Sequence, residues 1–218
     1  MAAVRVLVAD DHEVVRQGIR ALVERQPGWE VCGEVVTGRE AVEQARRLKP
    51  DVVVMDITMP ELNGLEATRQ ILKDAPETRI LILTVHDSED LVCEVFRAGA
   101  RGYLLKSDAG RELATAIGAL HEGKRFCTAK ITDILLGGFL QGDGREPGPD
   151  QRRGTPTPRE REIVQLLAEG KSNKEVATVL GISVATAESH RYNVMQKLHF
   201  HSLAELVHYA IRNHIVEP

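Results

Sequence analysis

The chain has 218 residues, of which 43% are hydrophobic, and this is enough for two domains with packed cores. Its three scattered cysteines exclude a disulfide framework, and no apolar run approaches the ~18 residues of a membrane-spanning helix. The formal net charge of -4 is uneven, because residues 1–150 carry -6 and residues 151–218 carry +2. The opening MAAVRVLVAD is too short and too soon charged for a secretory leader, so we expect a cytoplasmic protein without membrane insertion.

The first 120 residues alternate between strand-like and helix-like patterns. Residues 13–26 and 38–48 have helical periodicity, and apolar runs rich in β-branched residues lie around them. The five runs occupy residues 4–9, 29–35, 51–56, 79–84 and 102–105. Apolar strands that alternate with helices are typical of a parallel sheet covered on both faces. The sequence therefore predicts an α/β domain with a five-stranded, parallel, doubly wound sheet.

A different composition begins after residue 140. Residues 141–156 hold four Gly, three Pro and six charged residues without periodicity, which predicts an exposed, flexible linker. Four short helical patterns follow, each preceded by a helix-start signal. The signals are Thr157 with Pro158 and Glu160, Ser172 with Glu175, Ser183, and Ser202 with Glu205. We therefore divide the chain into a sheet domain at 1–125, a terminal helix extension with the linker at 126–156, and an all-α four-helix domain at 157–218.

Polar side chains stand at the ends of four predicted strands. Asp10 and Asp11 follow the first strand, Asp56 ends the third, Thr84 ends the fourth and Lys106 follows the fifth. In open α/β sheets the carboxyl ends of the strands form the ligand-binding edge, so these groups should converge. Clustered carboxylates favour Mg²⁺, which prefers oxygen ligands. A carboxylate can also attack phosphorus to form an aspartyl phosphate, while a metal and a lysine offset the charge of the phosphoryl group.

The motifs ADDHEVVRQG, MDITMPELNG, ILTVHD and GYLLKSD stand in order at these strand ends and resemble the receiver domain of two-component response regulators. The resemblance implies a flavodoxin-like fold, Mg²⁺ as cofactor, and phosphorylation of Asp56 by a sensor histidine kinase. It also implies the other site residues, which are Asp10, Asp11 and the Thr58 carbonyl as metal ligands with Asp56, Lys106 as the phosphoryl contact, and Thr84 with Tyr103 as the switch. Ser107 follows the lysine where proline is frequent in the family, so the isomer of the Lys106–Ser107 bond stays open.

Two alternatives concern this part of the chain. Hydrolases of the haloacid-dehalogenase-like type also place an aspartate after an apolar strand, with a second aspartate two residues further on as acid and base. Here that position is Thr58, so we expect a stored phosphoryl group with slow self-hydrolysis rather than a turnover enzyme. Some receiver-like domains are controlled by ligands or protein partners instead. The complete acid set, together with Thr84 and Lys106, argues against that interpretation.

The segment NKEVATVLGISVATAESHRYNVMQKL, residues 173–198, contains a helical pattern, a glycine and a second helical pattern. Ala177 is small enough for close helix crossing, and Gly181 suits a left-handed turn. The pattern predicts a helix-turn-helix motif, whose second helix enters the DNA major groove. Residues 157–211 closely resemble the LuxR-type DNA-binding domain. With the receiver-like part, almost the whole chain resembles response regulators of the NarL/FixJ type.

Polar residues on and near the second helix of this motif are the candidate DNA contacts. They are Lys171, Lys174, Thr186, Ser189, Arg191, Tyr192, Asn193 and Lys197. We expect Arg191 and Lys197 to contact phosphates, while Lys171 and Lys174 anchor the first helix. Ala185 stands where family members commonly carry lysine, and the loss of that cation would weaken phosphate or base contacts.

The last helical pattern supplies the candidate dimer surface, made of Leu203, Leu206, Val207 and Ala210. Some of this surface must cover the domain's own core, and the rest would form a seam between two copies. The resemblance implies a phosphorylation-controlled, DNA-binding transcription regulator. Its expected partners are a cognate sensor histidine kinase, double-stranded DNA with paired half-sites, a second copy of the chain in the active state, and RNA polymerase.

Overall fold

A computed structural model of the chain describes residues 3–140 and 156–217, with side chains described as far as residue 135 in the first range. The linker predicted at 141–156 lies outside these ranges except for its last residue, and the predicted domain boundaries stay predictions. The chain divides into two compact units at residues 143 and 144, which we call the sheet unit and the helical unit. Within the described ranges, every helix is too short or too polar to span a membrane.

The sheet unit alternates strands and helices from its first strand onward. The elements are β1 (Val4–Ala9), α1 (Glu13–Glu24), β2 (Trp29–Val35), α2 (Gly38–Leu48), β3 (Val52–Met55), α3 (Gly64–Asp74), β4 (Arg79–Thr84), α4 (Glu89–Arg97), β5 (Gly102–Leu105), a 3-10 turn (Lys106–Asp108), α5 (Ala109–His121), β6 (Phe126–Cys127) and α6 (Ala129–Leu140). The α/β prediction is confirmed, and four of the five predicted strands have the predicted ends.

The sheet is parallel throughout, with the strand order β2-β1-β3-β4-β5-β6. The prediction of five strands is therefore wrong by one. The additional strand is only two residues long, and Phe126 and Cys127 pair with Gly102 and Tyr103 of β5. A two-residue strand leaves no periodicity to detect, so its place in the sheet is decided by tertiary pairing.

Helices cover both faces of the sheet because its central strands are apolar on both sides. On β3, Val53 and Met55 point into one core with α2, α3, α4 and α6, whereas Val52 and Val54 point into the other core with α1 and α5. Successive side chains of a strand alternate between faces, so a continuous apolar run is what a doubly covered sheet needs. This burial on both faces holds β3 in the sheet as far as Met55, and Asp56 is the next residue.

The helical unit contains α7 (Pro158–Ala168), α8 (Asn173–Leu180), α9 (Val184–Lys197) and α10 (Leu203–Arg212) in its described residues. This confirms the predicted four-helix, all-α class. Thr157 and Ser172 form complete capping boxes at the starts of α7 and α8. Ser202 caps α10 by accepting from the Glu205 amide, but the Glu205 carboxylate accepts from the His201 amide, one residue earlier than predicted.

The turn between α8 and α9 has the geometry expected from its glycine. Gly181 ends α8 with φ 63°, the left-handed conformation that a residue without Cβ adopts at little cost. Val176 and Val194 are buried on opposite sides of this turn, and Ile182 packs against the same core. The turn therefore fixes α9 against α8 in a helix-turn-helix arrangement.

Candidate functional site

Carboxylates from the ends of β1 and β3 meet at the carboxyl edge of the sheet. The two strands are parallel neighbours, with Ala9 beside Met55, so the residues that follow them come together. One ligand atom from each of Asp10, Asp11, His12 and Asp56 lies within 4.8 Å of all the others. Asp10 and Asp56 are only 1% and 4% exposed, whereas Asp11 and His12 are exposed. The site is therefore a partly closed acidic pocket at the predicted edge.

Backbone contacts hold Asp56 in place. Its amide donates to the Ala9 carbonyl at 2.8 Å, and the Ile57 amide donates to its Oδ1 at 2.7 Å. Gly64 begins α3 directly against this turn, where an added Cβ would lie 1.9 Å from the Asp56 carbonyl oxygen. Only glycine permits that approach of backbone to backbone. Gly64 is the last residue of the motif MDITMPELNG, but the need for glycine at this position depends on packing and is not predicted by the motif.

The ammonium group of Lys106 joins the two buried acids. Its Nζ lies 2.7 Å from Asp10 Oδ2 and 2.7 Å from Asp56 Oδ2. Lys106 begins the 3-10 turn that follows β5, so the end of a third strand supplies this cation. The described residues contain no cis peptide bond, and Lys106–Ser107 is accordingly trans. The structure brings Asp10, Asp11, Asp56 and Lys106 together as the strand-end argument predicts.

Burial controls the protonation of this pocket. It raises the pKa of Asp56 from 3.8 to about 6, against the opposing effect of the Lys106 charge. Burial disfavours the charged form of Lys106, but the neighbouring Asp56 and Asp10 outweigh it and raise the pKa of the ammonium group. Near neutral pH, Asp56 is thus a carboxylate held beside a protonated lysine.

The donor set fits a hard divalent cation such as Mg²⁺. Three carboxylates face one ammonium group, which leaves a formal surplus of two negative charges in the pocket. Asp10 Oδ2 is buried, and the Lys106 ammonium lies 2.7 Å from it. Thr58 is half-buried two residues after Asp56. Carboxylate and carbonyl oxygens are the ligands that Mg²⁺ takes in proteins.

The two predicted switch residues meet at the backbone of one loop residue. Thr84 is buried at the end of β4, and its Oγ1 accepts from the His86 amide at 3.3 Å. Tyr103 is buried on β5, and its hydroxyl donates to the His86 carbonyl at 2.7 Å. Sequence reasoning did not single out His86, because its contribution is a backbone contact that leaves no residue-type pattern.

In the helical unit, α9 presents the predicted polar face. Thr186, Ser189, Tyr192 and Asn193 are exposed, with Tyr192 at 65%. The Ser189 hydroxyl donates to the Ala185 carbonyl at 2.9 Å, as serines inside helices commonly do. The face carries aromatic and hydrogen-bonding groups suited to a groove of DNA.

The predicted cationic contacts differ in their surroundings. Lys197 Nζ lies 2.7 Å from Glu160 Oε2 on α7, and Arg191 donates to the Asn173 side chain at 3.4 Å. Lys171 is half-buried with Glu169 at 3.7 Å, whereas Lys174 is exposed. Their roles as DNA contacts stay predictions, and for Lys197 the ion pair would have to open first.

One part of the predicted dimer surface needs correction. Leu206 and Ala210 are fully buried in the core of the helical unit, so these two side chains cannot lie in a seam between copies. They occupy the side of α10 that packs on α7. Leu203 is 42% exposed and Val207 is half-buried, and these two remain candidates.

An acidic pocket with an adjacent lysine at the carboxyl edge of a doubly wound sheet, followed along the chain by a helix-turn-helix unit, is the arrangement of two-component response regulators with a DNA-binding domain. Residues 6–118 match the response regulator receiver domain, and residues 156–210 match the bacterial regulatory proteins of the luxR family. The chain belongs to the response regulator receiver domain family and carries a LuxR-type domain. It is accordingly a phosphorylation-controlled transcription regulator.

Individual relatives agree with this assignment over nearly their whole length. The transcriptional regulatory protein LiaR of Bacillus subtilis (strain 168) is 40% identical over 213 residues, covering 98% of this chain and 99% of LiaR. The oxygen regulatory protein NreC of Staphylococcus carnosus (strain TM300) is 37% identical over 216 residues, covering 98% and 99%. A solved structure of two RcsB dimers bound to two parallel DNAs is similar with TM-score 0.59 and 27% identity, covering 95% of this chain and 97% of that one.

Proposed function

We propose that Asp56 accepts a phosphoryl group from the phosphohistidine of a cognate sensor histidine kinase, and that this modification controls DNA binding by α9. One observation carries the proposal. Asp56 Oδ2 lies 2.7 Å from the Lys106 ammonium at the carboxyl edge of the sheet, beside the carboxylates of Asp10 and Asp11. A nucleophile, a cation and a divalent-metal donor set are thereby gathered at one opening.

The transfer requires Asp56 as a carboxylate. One of its oxygens attacks phosphorus, the bond from phosphorus to the imidazole nitrogen of the kinase breaks, and that nitrogen keeps the electron pair. The Ile57 amide holds Oδ1 of Asp56 at 2.7 Å and restricts the orientation of the carboxylate. Lys106 is placed to compensate negative charge on the phosphoryl oxygens.

Asp10, Asp11, Asp56 and the carbonyl of Thr58 are the residues that would hold Mg²⁺. When bound, the ion neutralises charge that develops on the transferring phosphoryl group. The surplus of acidic groups over cations in the pocket supports this assignment. The protein's own contribution is to keep Asp10 and Asp56 buried and close together before any ligand arrives.

The modified aspartate is a stored signal and not an intermediate of rapid turnover. Thr58 occupies the position where a hydrolase of similar layout would carry a second aspartate as acid and base. Because a threonine hydroxyl does not act as a general acid or base near neutral pH, we expect only slow self-hydrolysis of the aspartyl phosphate. Rapid hydrolysis of a phosphomonoester by the purified protein would contradict this part of the proposal.

Phosphorylation adds about 1.5 to 2 negative charges and new hydrogen-bond acceptors at the edge of the sheet. We expect Thr84 and Tyr103 to reorient in response, since both contact the backbone of His86 near this edge. The resulting population shift frees the helical unit to bind DNA as a dimer on paired half-sites. The RcsB assembly of dimers on DNA supports this expectation by similarity. RNA polymerase is a further expected partner.

The proposal is tested by intact mass after incubation of the purified protein with acetyl phosphate and Mg²⁺. We expect one added phosphoryl group on the wild type and none on Asp56→Asn. Asp74→Asn is the matched control, because Asp74 is an exposed carboxylate whose partner is Arg46, and it should label like the wild type. Equal labelling of Asp56→Asn would show that a residue other than Asp56 is phosphorylated. If none of the proteins were labelled, phosphorylation would be ruled out as the signal that controls DNA binding.

A further inference from the structure

The segment that follows α5 packs back onto the sheet unit beside the predicted switch. We call residues 126–135 the latch segment. Within it, Ile131 is 0% exposed and belongs to the same apolar core as Tyr103 and Leu91. Ile134 and Leu135 pack partly against that core, which completes the i, i+3, i+4 spacing of an apolar helix face. This face of α6 lies on α4.

Two further contacts tie the latch segment to the switch residues. The latch segment includes β6, in which Cys127 pairs with Tyr103 of β5. Through α6, the Lys130 ammonium lies 2.5 Å from Asp87 Oδ2. Asp87 directly follows His86, whose backbone contacts both Thr84 and Tyr103. The latch segment thus contacts the strand that carries Tyr103 and the loop that follows Thr84.

The contacts differ in strength. Asp87 and Lys130 are 48% and 60% exposed, and exposed ion pairs of this kind contribute little because solvent screens them. Ile131 is enclosed by apolar neighbours, and removal of such a side chain leaves a cavity as well as exposing the surface it covered. Ile131 is therefore the anchor, while Lys130 adds a weaker contact to the β4–α4 loop.

We propose that the latch segment is a conformational switch element, closed while Tyr103 and the 84–87 loop hold their present contacts and loosened when phosphorylation of Asp56 changes them. This inference rests on the proposed function, which supplies the phosphorylation. It extends that function by proposing that the latch segment transmits the effect of phosphorylation at Asp56 to the chain beyond residue 140. Coupling of this kind is reciprocal, so loosening the latch segment also favours the phosphorylated state.

The first test measures how closely the latch segment is held in the full-length protein. Iodoacetamide labelling of Cys127, which is half-buried with its Sγ 3.2 Å from Thr132 Oγ1, reports opening of the segment. Cys32 on β2, the opposite edge strand, reports opening of the whole sheet in the same sample. Labelling rates at both sites are read from peptide masses, so no cysteine needs to be replaced.

We expect Ile131→Ala to label at Cys127 about tenfold faster or more, with Cys32 much less affected. Lys130→Ala should accelerate Cys127 by about twofold to fivefold. The double exchange Asp87→Lys with Lys130→Asp restores the ion pair and should return the rate toward that of the wild type. Lys124→Ala is the control, because Lys124 pairs locally with Glu122 at 2.5 Å and should leave the rate unchanged. Equal labelling rates of Cys127 in all variants would contradict the proposal that these contacts hold the latch segment.

The second test adds acetyl phosphate and Mg²⁺, with the phosphoryl group verified by intact mass before labelling. Phosphorylated wild type should label at Cys127 about fivefold faster or more, and Asp56→Asn should not respond. A phosphorylated protein with an unchanged Cys127 rate would overturn the inference while leaving the proposed function standing. Absence of the phosphoryl mass would instead overturn the proposed function, and the coupling with it, whatever the variants show.

Discussion

The phenol hydroxyl of Tyr103 donates a hydrogen bond of 2.7 Å to the main-chain carbonyl of His86. Burial raises the pKa of the Tyr103 hydroxyl well above its ordinary 10, so the group stays protonated and remains a donor. The amide of the same histidine donates to Thr84 Oγ1. The β4–α4 loop is thus held on both sides of one residue by the two side chains predicted to form the switch.

Replacing Tyr103 by Phe removes this contact and keeps the ring in the core. Because the His86 carbonyl loses its donor, we expect the sheet unit to lose about 1 kcal/mol of unfolding free energy. Trp29, the single tryptophan of the chain, lies on β2 and reports unfolding of this unit in urea.

In Tyr103→Phe, Asp56 should still be phosphorylated, but the gain in DNA affinity on phosphorylation should fall severalfold. Tyr192→Phe, at an exposed position on α9, is the control for the urea transition, and an unchanged midpoint in Tyr103→Phe would contradict the prediction.

The pKa of Asp56 gives a signed dependence of stability on pH. Its folded pKa of about 6 lies above the ordinary value of 3.8, so the folded state binds the proton more tightly than the unfolded state. The corresponding stability is fully present below pH 3.8 and is lost as pH rises through 6. At neutral pH the buried carboxylate therefore destabilises the fold. Groups with a pKa perturbed by burial are common at functional sites.

Asp56→Asn should accordingly be more stable than wild type at pH 7.5 without divalent cations, by about 2 to 3 kcal/mol. The difference should shrink as pH falls through 6 and should approach zero below pH 3.8, where Asp56 is protonated in both the folded and the unfolded state. Mg²⁺ should reduce it at pH 7.5, because the ion stabilises the carboxylate and not the amide. Urea titrations of Trp29 fluorescence at several pH values measure this, and a difference independent of pH would sink the argument.

Lys106 is the cation that makes two buried carboxylates tolerable in one pocket. In Lys106→Met, Asp10 and Asp56 lose the ammonium group 2.7 Å from each, and we expect a loss of about 3 kcal/mol at neutral pH. Added Mg²⁺ should restore part of that stability, and labelling by acetyl phosphate should be strongly reduced. Lys124→Met, at an exposed ion pair, should change neither stability nor labelling. Full labelling of Lys106→Met would show that the lysine does not contact the phosphoryl group.

The pocket was predictable from the sequence because strand ends in a parallel sheet meet at one edge. The run VVVM is buried on both faces, and Asp56 follows it at the carboxyl edge of the sheet. In contrast, β6 has two residues, so nothing in its local pattern distinguishes it from a loop. The apolar spacing of Ile131, Ile134 and Leu135 is helical, but it does not indicate which elements this helix packs against. The position of the latch segment depends on its pairing with β5 and its packing on α4.

The faces of α10 and α9 show the same limit in the helical unit. Helical spacing identifies Leu203, Leu206 and Ala210 as apolar positions, but only the packing of α10 on α7 decides that the last two are buried. Likewise, nothing local to Lys197 indicates that its partner would be Glu160, 37 residues earlier in the chain. Residue type predicts what a side chain can do, and tertiary contacts decide which side chains are available to do it.

The Glu160 carboxylate has two roles that a single substitution can separate. It accepts from the Thr157 amide in the capping box of α7, and it also holds the Lys197 ammonium at 2.7 Å. Glutamine can keep the capping hydrogen bond, because Glu and Gln both serve at this position of a capping box. Glu160→Gln therefore preserves the helix start while removing the charge that competes with a DNA phosphate for Lys197.

We expect Glu160→Gln to bind DNA more tightly than the wild type at low salt. If Lys197 then gains one phosphate contact, the slope of log K against log salt should steepen by about 0.9. Lys197→Met should bind more weakly than Glu160→Gln and should abolish the effect of Glu160→Gln in the double variant, since the two residues act through one contact. Glu205→Gln, which removes a charge near the start of α10, is the matched control. Titrations of labelled duplex at four salt concentrations measure both quantities, and equal slopes for Glu160→Gln and the wild type would mean that Lys197 gains no phosphate contact when its ion pair with Glu160 is removed.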